Sequence, residues 1–349
     1  MDAVSLGFSA LAIVSILAVT ALLAVFENRF ASVDWARTVL IAGVGGAIVA
    51  VACFLQLLVL PLLLIGPLAA LGALFATLST SLLRSRSTPR RLALAALSTA
   101  LVFLPLAWTV FATSFDPFGT QLGVIDLGGG VPTLVGGGAV ALGTALVRGR
   151  ARVDAAPEGV ATPARMSGWS VLIPAVLVWI AGVGWVVGLE LAADDMVPVI
   201  AVSALVMPAL AAVSASLVER LRSGRTTSSG IVVGLLAGVA AAVPACAFVT
   251  APLAAVIGVI VGAAIGLLPQ RVRAWPATAL ALGAAISAVL LGAFGTHIGY
   301  IYTGQPELAF GQLTIVLLAV TGGGAVGAVL GWLSRRWPSP NLADSSPEV

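Results

Sequence analysis

Few side chains in this sequence could make or break bonds, and their spacing assembles none of the usual catalytic devices. The single histidine, His297, stands in a loop, where a solvated ring without a chemical role is expected. The two cysteines, Cys53 and Cys246, lie in separate apolar runs, with neither metal-ligand spacing nor the pattern of a secreted disulfide framework. Gly128, Gly129 and Gly130 form a glycine-rich turn entering a helix. No Lys-Ser/Thr pair or preceding strand accompanies them, which excludes a phosphate loop. Asp126 and Glu190 approach the apolar runs only at their ends. Proton- or ion-coupled carriers usually place ionisable groups at membrane depth, and the middles of the apolar runs hold none. No nucleophile–base pair, paired carboxylate or metal cluster is recognisable. Enzymatic activity is not expected, and neither a cofactor nor a metal is implied.

The elements that carry these residues are long and apolar. Of 349 residues, 60% are hydrophobic and 9% charged, with mean hydropathy +1.13; soluble chains carry about 25% charged residues. A soluble globular protein is excluded. A helix needs about 20 apolar residues to cross the hydrocarbon core. Eleven runs qualify: Val4–Phe26, Val39–Val59, Leu62–Leu83, Leu92–Thr113, Val131–Val147, Trp169–Leu189, Val197–Leu217, Gly230–Val249, Pro252–Leu268, Ala277–Phe294 and Leu308–Leu333. The expected fold class is therefore an all-α, polytopic membrane protein in the lipid bilayer. Only Pro61 and Pro252 punctuate the second and eighth divisions, where a tight turn must fall.

Charge supports this count. All 17 basic residues are arginine, and they fall in alternate connections and in the C-terminal tail. Asp2, Asp116, Asp126, Glu190, Asp194, Asp195 and Glu307 occupy the other side, without arginine. Arginine collects on the cytoplasmic face. The expectation is a multi-pass protein of the plasma membrane with its N-terminus outside and its C-terminus cytoplasmic. The high pI (about 9.5) thus reflects topology rather than nucleic-acid binding. The acidic start, Asp2, argues against a cleavable signal peptide.

The fifth and tenth runs look alike. With Leu134 set against Leu280, Gly137 falls on Gly283 and Ala139 on Ala285. Five spans separate them, which implies an inverted five-helix repeat of the kind that places a substrate path at the repeat interface. The expected organisation is one transmembrane domain over 1–334, with a first half (1–150), an inverted second half (165–296) and an extra helix (308–333). A short cytoplasmic tail (335–349) follows.

Three stretches resemble the ammonium transporter/methylamine permease/Rhesus family. Val124-Ile-Asp-Leu-Gly-Gly-Gly-Val-Pro-Thr-Leu134 is similar to its Asp-x-Ala-Gly-Gly-Thr-Val-Val-His signature. Gly238-Val-Ala-Ala-Ala-Val-Pro-Ala-Cys-Ala-Phe248 is similar to its Gly-x-x-x-x-Thr-Pro-Ala-Cys-Gly-Tyr segment, and Phe103-Leu-Pro-Leu-Ala-Trp-Thr-Val-Phe111 also fits. The likeness runs from about Leu62 to Leu333. It implies the eleven-span inverted fold and a homotrimer.

The departures bear on function. The family's pore is lined by two facing histidines, and both positions carry leucine here, Leu134 and Leu280. At the family's outer aromatic cage, Phe111 matches the tryptophan, Leu189 replaces the serine, and Ala69 falls where a phenylalanine is expected. Trp185 matches a gate phenylalanine, and Asp126 is the polar signature residue retained. The resemblance implies a passive channel for ammonia, ammonium or another small neutral molecule. The alternatives are a non-conducting relative acting as scaffold, sensor or subunit beside an unidentified membrane protein, and an unrelated multispan carrier.

Overall fold

The computed structural model describes residues 3–27, 33–58, 60–82, 88–111, 123–148, 168–269, 272 and 275–336. Residues 151–163, between the expected fifth and sixth spans, and the tail from 337 onward lie outside them. Every expected span corresponds to a helix. They are α1 (Ala3–Glu27), α2 (Trp35–Phe54), α3 (Leu62–Thr80), α4 (Thr88–Phe111) and α5 (Val131–Val147), then α6 (Trp169–Gly188), α7 (Met196–Ser223), α8 (Ser228–Ala245), α9 (Ala251–Leu267), α10 (Pro276–Phe294) and α11 (Glu307–Arg336). Among the described residues, 9 helices are long and apolar enough to cross a membrane; α5 and α9 are shorter apolar helices. There is no strand among these residues.

Packing repeats with a step of five helices. α2 lies on α3 as α7 lies on α8, and α1 meets α3 as α6 meets α8. α3 meets α5 as α8 meets α10, and α2 meets α4 as α7 meets α9. The pairs α1–α6 and α5–α10 join the two sets. α11 has no counterpart and packs along α5. There Gly327 abuts the Val140 carbonyl, and Thr144 Oγ1 donates to the Gly327 carbonyl at 3.0 Å. Small residues allow such backbone approach where lipid removes any hydrophobic drive between helices.

The helix ends carry the charge. Among the described arginines, Arg37, Arg90 and Arg91 stand at the starts of α2 and α4, whereas Arg148, Arg220, Arg222 and Arg336 stand at the ends of α5, α7 and α11. In a chain that threads up and down, that is one end of the bundle, the arginine end. Asp126, Glu190, Asp194 and Glu307 mark the other.

α7 is longer than its apolar run. It continues past Leu217 to Ser223, where Gly224 closes it with φ +72°. The added turns hold Glu219, 3% exposed, whose carboxylate accepts from Thr227 N–H at 3.1 Å and from Thr227 Oγ1 at 2.9 Å. Thr227 Oγ1 in turn accepts from Gly230 N–H and caps α8. This buried acid is structural, joining α7 to α8 at the arginine end.

Candidate functional site

The site begins at the turn that opens α5. Asp126 is buried, and its two carboxylate oxygens accept from Gly130 N–H (2.8 Å) and Val131 N–H (2.7 Å). A carboxylate there satisfies orphan donors and faces the positive end of the helix dipole. Gly129 allows the chain to reach those donors, because its φ of +68° is strained for residues with a Cβ. Two further bonds hold the turn: Gly128 N–H donates to the Val243 carbonyl of α8 at 3.0 Å, and Gln312 Nε2 of α11 donates to the Ile125 carbonyl at 2.5 Å.

Burial pushes the Asp126 carboxyl up to about 6, while the N–H groups of Val131, Gly130 and Gly129 pull it down. The folded pKa lies above the unfolded one, so the linked stability is full below the unfolded value and is lost as pH rises through about 6. Asp126→Asn sets an amide NH2 against a backbone N–H and is expected to destabilise by about 1–3 kcal/mol. The gap in melting temperature between wild type and this variant in detergent should narrow from pH 5 to pH 7.5. A gap that widens with pH would refute the linkage.

Beside this turn is a small apolar cavity. Its walls are Leu60, Leu64, Pro67, Leu68 and Leu71 from α3 and the residues before it, Phe111 from α4, and Leu189 just after α6. Its volume is about 10 Å³, at the limit for a single water. A Cβ at Gly129 would touch Leu71 Cδ1 at 2.9 Å and Phe111 Cζ at 3.0 Å, so the glycine turn lies against the cavity wall. Phe111 and Leu189, expected at the outer cage, are thus brought together. Ala69 is not with them. It lines a separate groove of about 600 Å³ between α1, α2 and α3, with Ile13, Gly43 and Gly46. One residue turns a helix face by about 100°, so Leu68 rather than its neighbour Ala69 faces this cavity.

Further into the bundle the interior is filled by side chains. Trp185 lies one turn below Leu189 on α6 and is 1% exposed. Leu134 stands in a π-helical turn, Val131–Val135, that opens α5; Leu280 stands on α10, and each is 1% exposed. A second π-helical turn, Thr99–Phe103, interrupts α4, and its Phe103 packs on Phe75 with ring centroids 5.4 Å apart. Such turns recur at functional sites because they re-aim side chains. Just below Leu134 three glycines face three neighbours. A Cβ on Gly136 would meet Leu106 of α4 (3.0 Å), one on Gly137 would meet Leu78 of α3 (3.2 Å), and one on Gly138 would meet the Ala277 carbonyl of α10 (2.9 Å). α10 also packs against the opening turn of α5, so both leucines sit on one crossing pair of helices.

The remaining candidates lie elsewhere. His297 is exposed in the loop after α10, its ring 5.9 Å from that of Tyr302. Cys53 and Cys246 are buried free thiols on different helices, and no group of metal-ligating side chains occurs among the described residues.

A family model described as the Ammonium Transporter Family matches residues 68–339. The chain belongs to that family. Solved structures agree on the fold. Mep2 of Saccharomyces cerevisiae is 19% identical with a TM-score of 0.78, over 97% of this chain and 89% of that one. A protein described as a Sensor Amt Protein is 18% identical with a TM-score of 0.77, over 96% and 92%. Mep2 of Candida albicans is 16% identical with a TM-score of 0.78, over 97% and 85%. No curated protein sequence matches the chain. Membership of the ammonium transporter family removes the unrelated multispan carrier from consideration, and the family is one of transporters rather than enzymes. In this ammonium transporter frame, sequence reading missed Leu64, Leu68 and Leu71 in the cavity wall. A leucine facing a cavity leaves no mark in sequence that separates it from one facing lipid.

Proposed function

We propose that this ammonium transporter family member is a passive channel for a small neutral molecule, ammonia above all. The observation that supports this most is the chemistry of the descent, from the wall of Leu68, Leu71, Phe111 and Leu189 to the buried pair Leu134 and Leu280. Apolar constrictions dewet and shut out ions, whereas an uncharged molecule needs no compensating charge. One ring, Phe111, is left to attract a cation at the entrance, worth about 0.5–2 kcal/mol. The five-step packing scheme supports two inverted halves, 1–150 and 165–296, with α11 as the added helix. The arginine end faces the cytoplasm, in the plasma membrane, and the family frame implies a homotrimer.

Proteoliposomes holding the chain should acidify or alkalise faster than empty vesicles on an ammonia gradient, with a rate that follows the unprotonated base at each pH. Flux equal to that of empty vesicles at several pH values would remove the channel. A second reading, a non-conducting sensor or scaffold, is favoured by the cavity's size and by the likeness to a Sensor Amt Protein. It predicts a stoichiometric membrane partner in mild detergent, and self-association alone would count against it.

A further inference from the structure

One buried donor under the cavity has no structural use. Trp185 Nε1 has no hydrogen-bond partner, although the residue is 1% exposed. The same helix treats its half-buried indole differently: Trp179 Nε1 donates to the Ala204 carbonyl of α7 at 3.1 Å. A satisfied indole ties two helices together, and an unsatisfied one in an apolar interior is costly to keep.

Its place in the fold says what it could meet. Leu189 is in the cavity wall with Phe111, and Trp185 is one turn, about 6 Å, further into the bundle on the same helical face. Three residues further in, Gly182 turns that face against Val239 of α8. The stripe Leu189, Trp185, Gly182 therefore points inward from the cavity. A second orphan lies in the opening turn of α5: Thr133 Oγ1, fully buried and next in sequence to Leu134, also lacks a partner.

Building on the channel reading above, we propose that the Trp185 indole N–H selects what passes, by donating a hydrogen bond to the lone pair of a small neutral base. Ammonia offers one lone pair to a donor. Ammonium offers none, and its N–H groups meet the indole N–H as donor against donor. Carbon dioxide is small and neutral but accepts hydrogen bonds weakly. An apolar interior with the indole N–H as its fixed donor therefore separates the unprotonated base both from its own cation and from an apolar gas. The Thr133 hydroxyl, able to donate or accept, takes the base on towards Leu134.

The test uses the full chain in proteoliposomes, with ammonia, methylamine and carbon dioxide as probes. Trp185→Phe keeps a ring in place and removes the N–H. It should lower ammonia and methylamine flux roughly tenfold, the worth of one neutral hydrogen bond, and leave carbon dioxide flux unchanged. Trp185→His, which retains a donor, should recover most of the loss. The hydrogen-bond-sensitive indole band, taken as the wild-type minus Trp185→Phe difference in ultraviolet resonance Raman spectra, should shift when methylamine is added. Wild-type ammonia flux in Trp185→Phe, or an equal fall for carbon dioxide, would overturn the proposal. If the wild type passes none of the three, the channel reading falls. The spectral arm then decides alone: a shift with methylamine upholds the donor site, and no shift ends it. Should Trp185→Phe fail to fold, Trp185→His supplies the reference spectrum.

Discussion

Replacing Leu134 and Leu280 together with histidine is expected to raise ammonium-linked conductance roughly tenfold over wild type. The reasoning is local. Both side chains are 1% exposed and sit on the crossing helices α5 and α10, and neither leucine offers a hydrogen bond. An imidazole has nearly the volume of a leucine side chain and supplies one donor and one acceptor when neutral. A neutral hydrogen bond is worth about 1 kcal/mol net, and a barrier lowered by about 1.4 kcal/mol gives tenfold in rate. The pair also offers a place to leave a proton, so the variant's conductance should gain an imidazole titration on top of the wild type's dependence on the unprotonated base. A correctly folded double variant that stays silent would show that no path runs past these two positions.

The second large effect concerns assembly. Gly283→Leu is expected to abolish folded protein in mild detergent. A Cβ at Gly283 would fall on the Ala237 carbonyl oxygen of α8, with the Ala237 Cα only 2.9 Å away. Backbone cannot step aside as a side chain can, so α8 and α10 would have to separate. The cost should exceed the ~1–3 kcal/mol usual for overpacked cores. Gly137 offers a control, because it faces α3 from α5 as Gly283 faces α8 from α10. Its neighbours are the side chains of Leu78 (3.2 Å) and Phe75 (3.3 Å), which can shift by a few tenths of an ångström. Gly137→Ala should therefore fold with a lowered melting temperature, whereas Gly283→Ala should be scarcely recoverable. Equal recovery of the two alanine variants, measured by size-exclusion yield, would contradict the packing of α8 on α10.

These contrasts also show what could be read in the sequence. The spans were legible because lipid removes the alternatives: a run of some 20 apolar residues has few other structures open to it. Their ends were less so. Glu219, Arg220 and Arg222 look like the start of a loop, yet α7 continues through them, because Thr227 satisfies the Glu219 carboxylate and Arg222 donates to the Gly266 carbonyl at 3.3 Å. Asp126 and Phe111 lie within stretches that resemble the family's, whereas Leu189 lies outside all three. Ala69 rested on leucine-rich sequence, also outside them, where a slip of one residue changes the helix face. The unpaired N–H of Trp185 could not be read at all, since only packing decides whether an indole finds an acceptor.

The clustering of arginine has a practical consequence. The sequence contains no lysine, so trypsin can cut only after arginine, and the described arginines gather at one end of the bundle. Digestion of sealed vesicles should therefore be all or nothing for each molecule, according to which way it was inserted. The protected fraction counts the molecules with that end enclosed, which lets a measured flux be assigned a direction without any added tag or label.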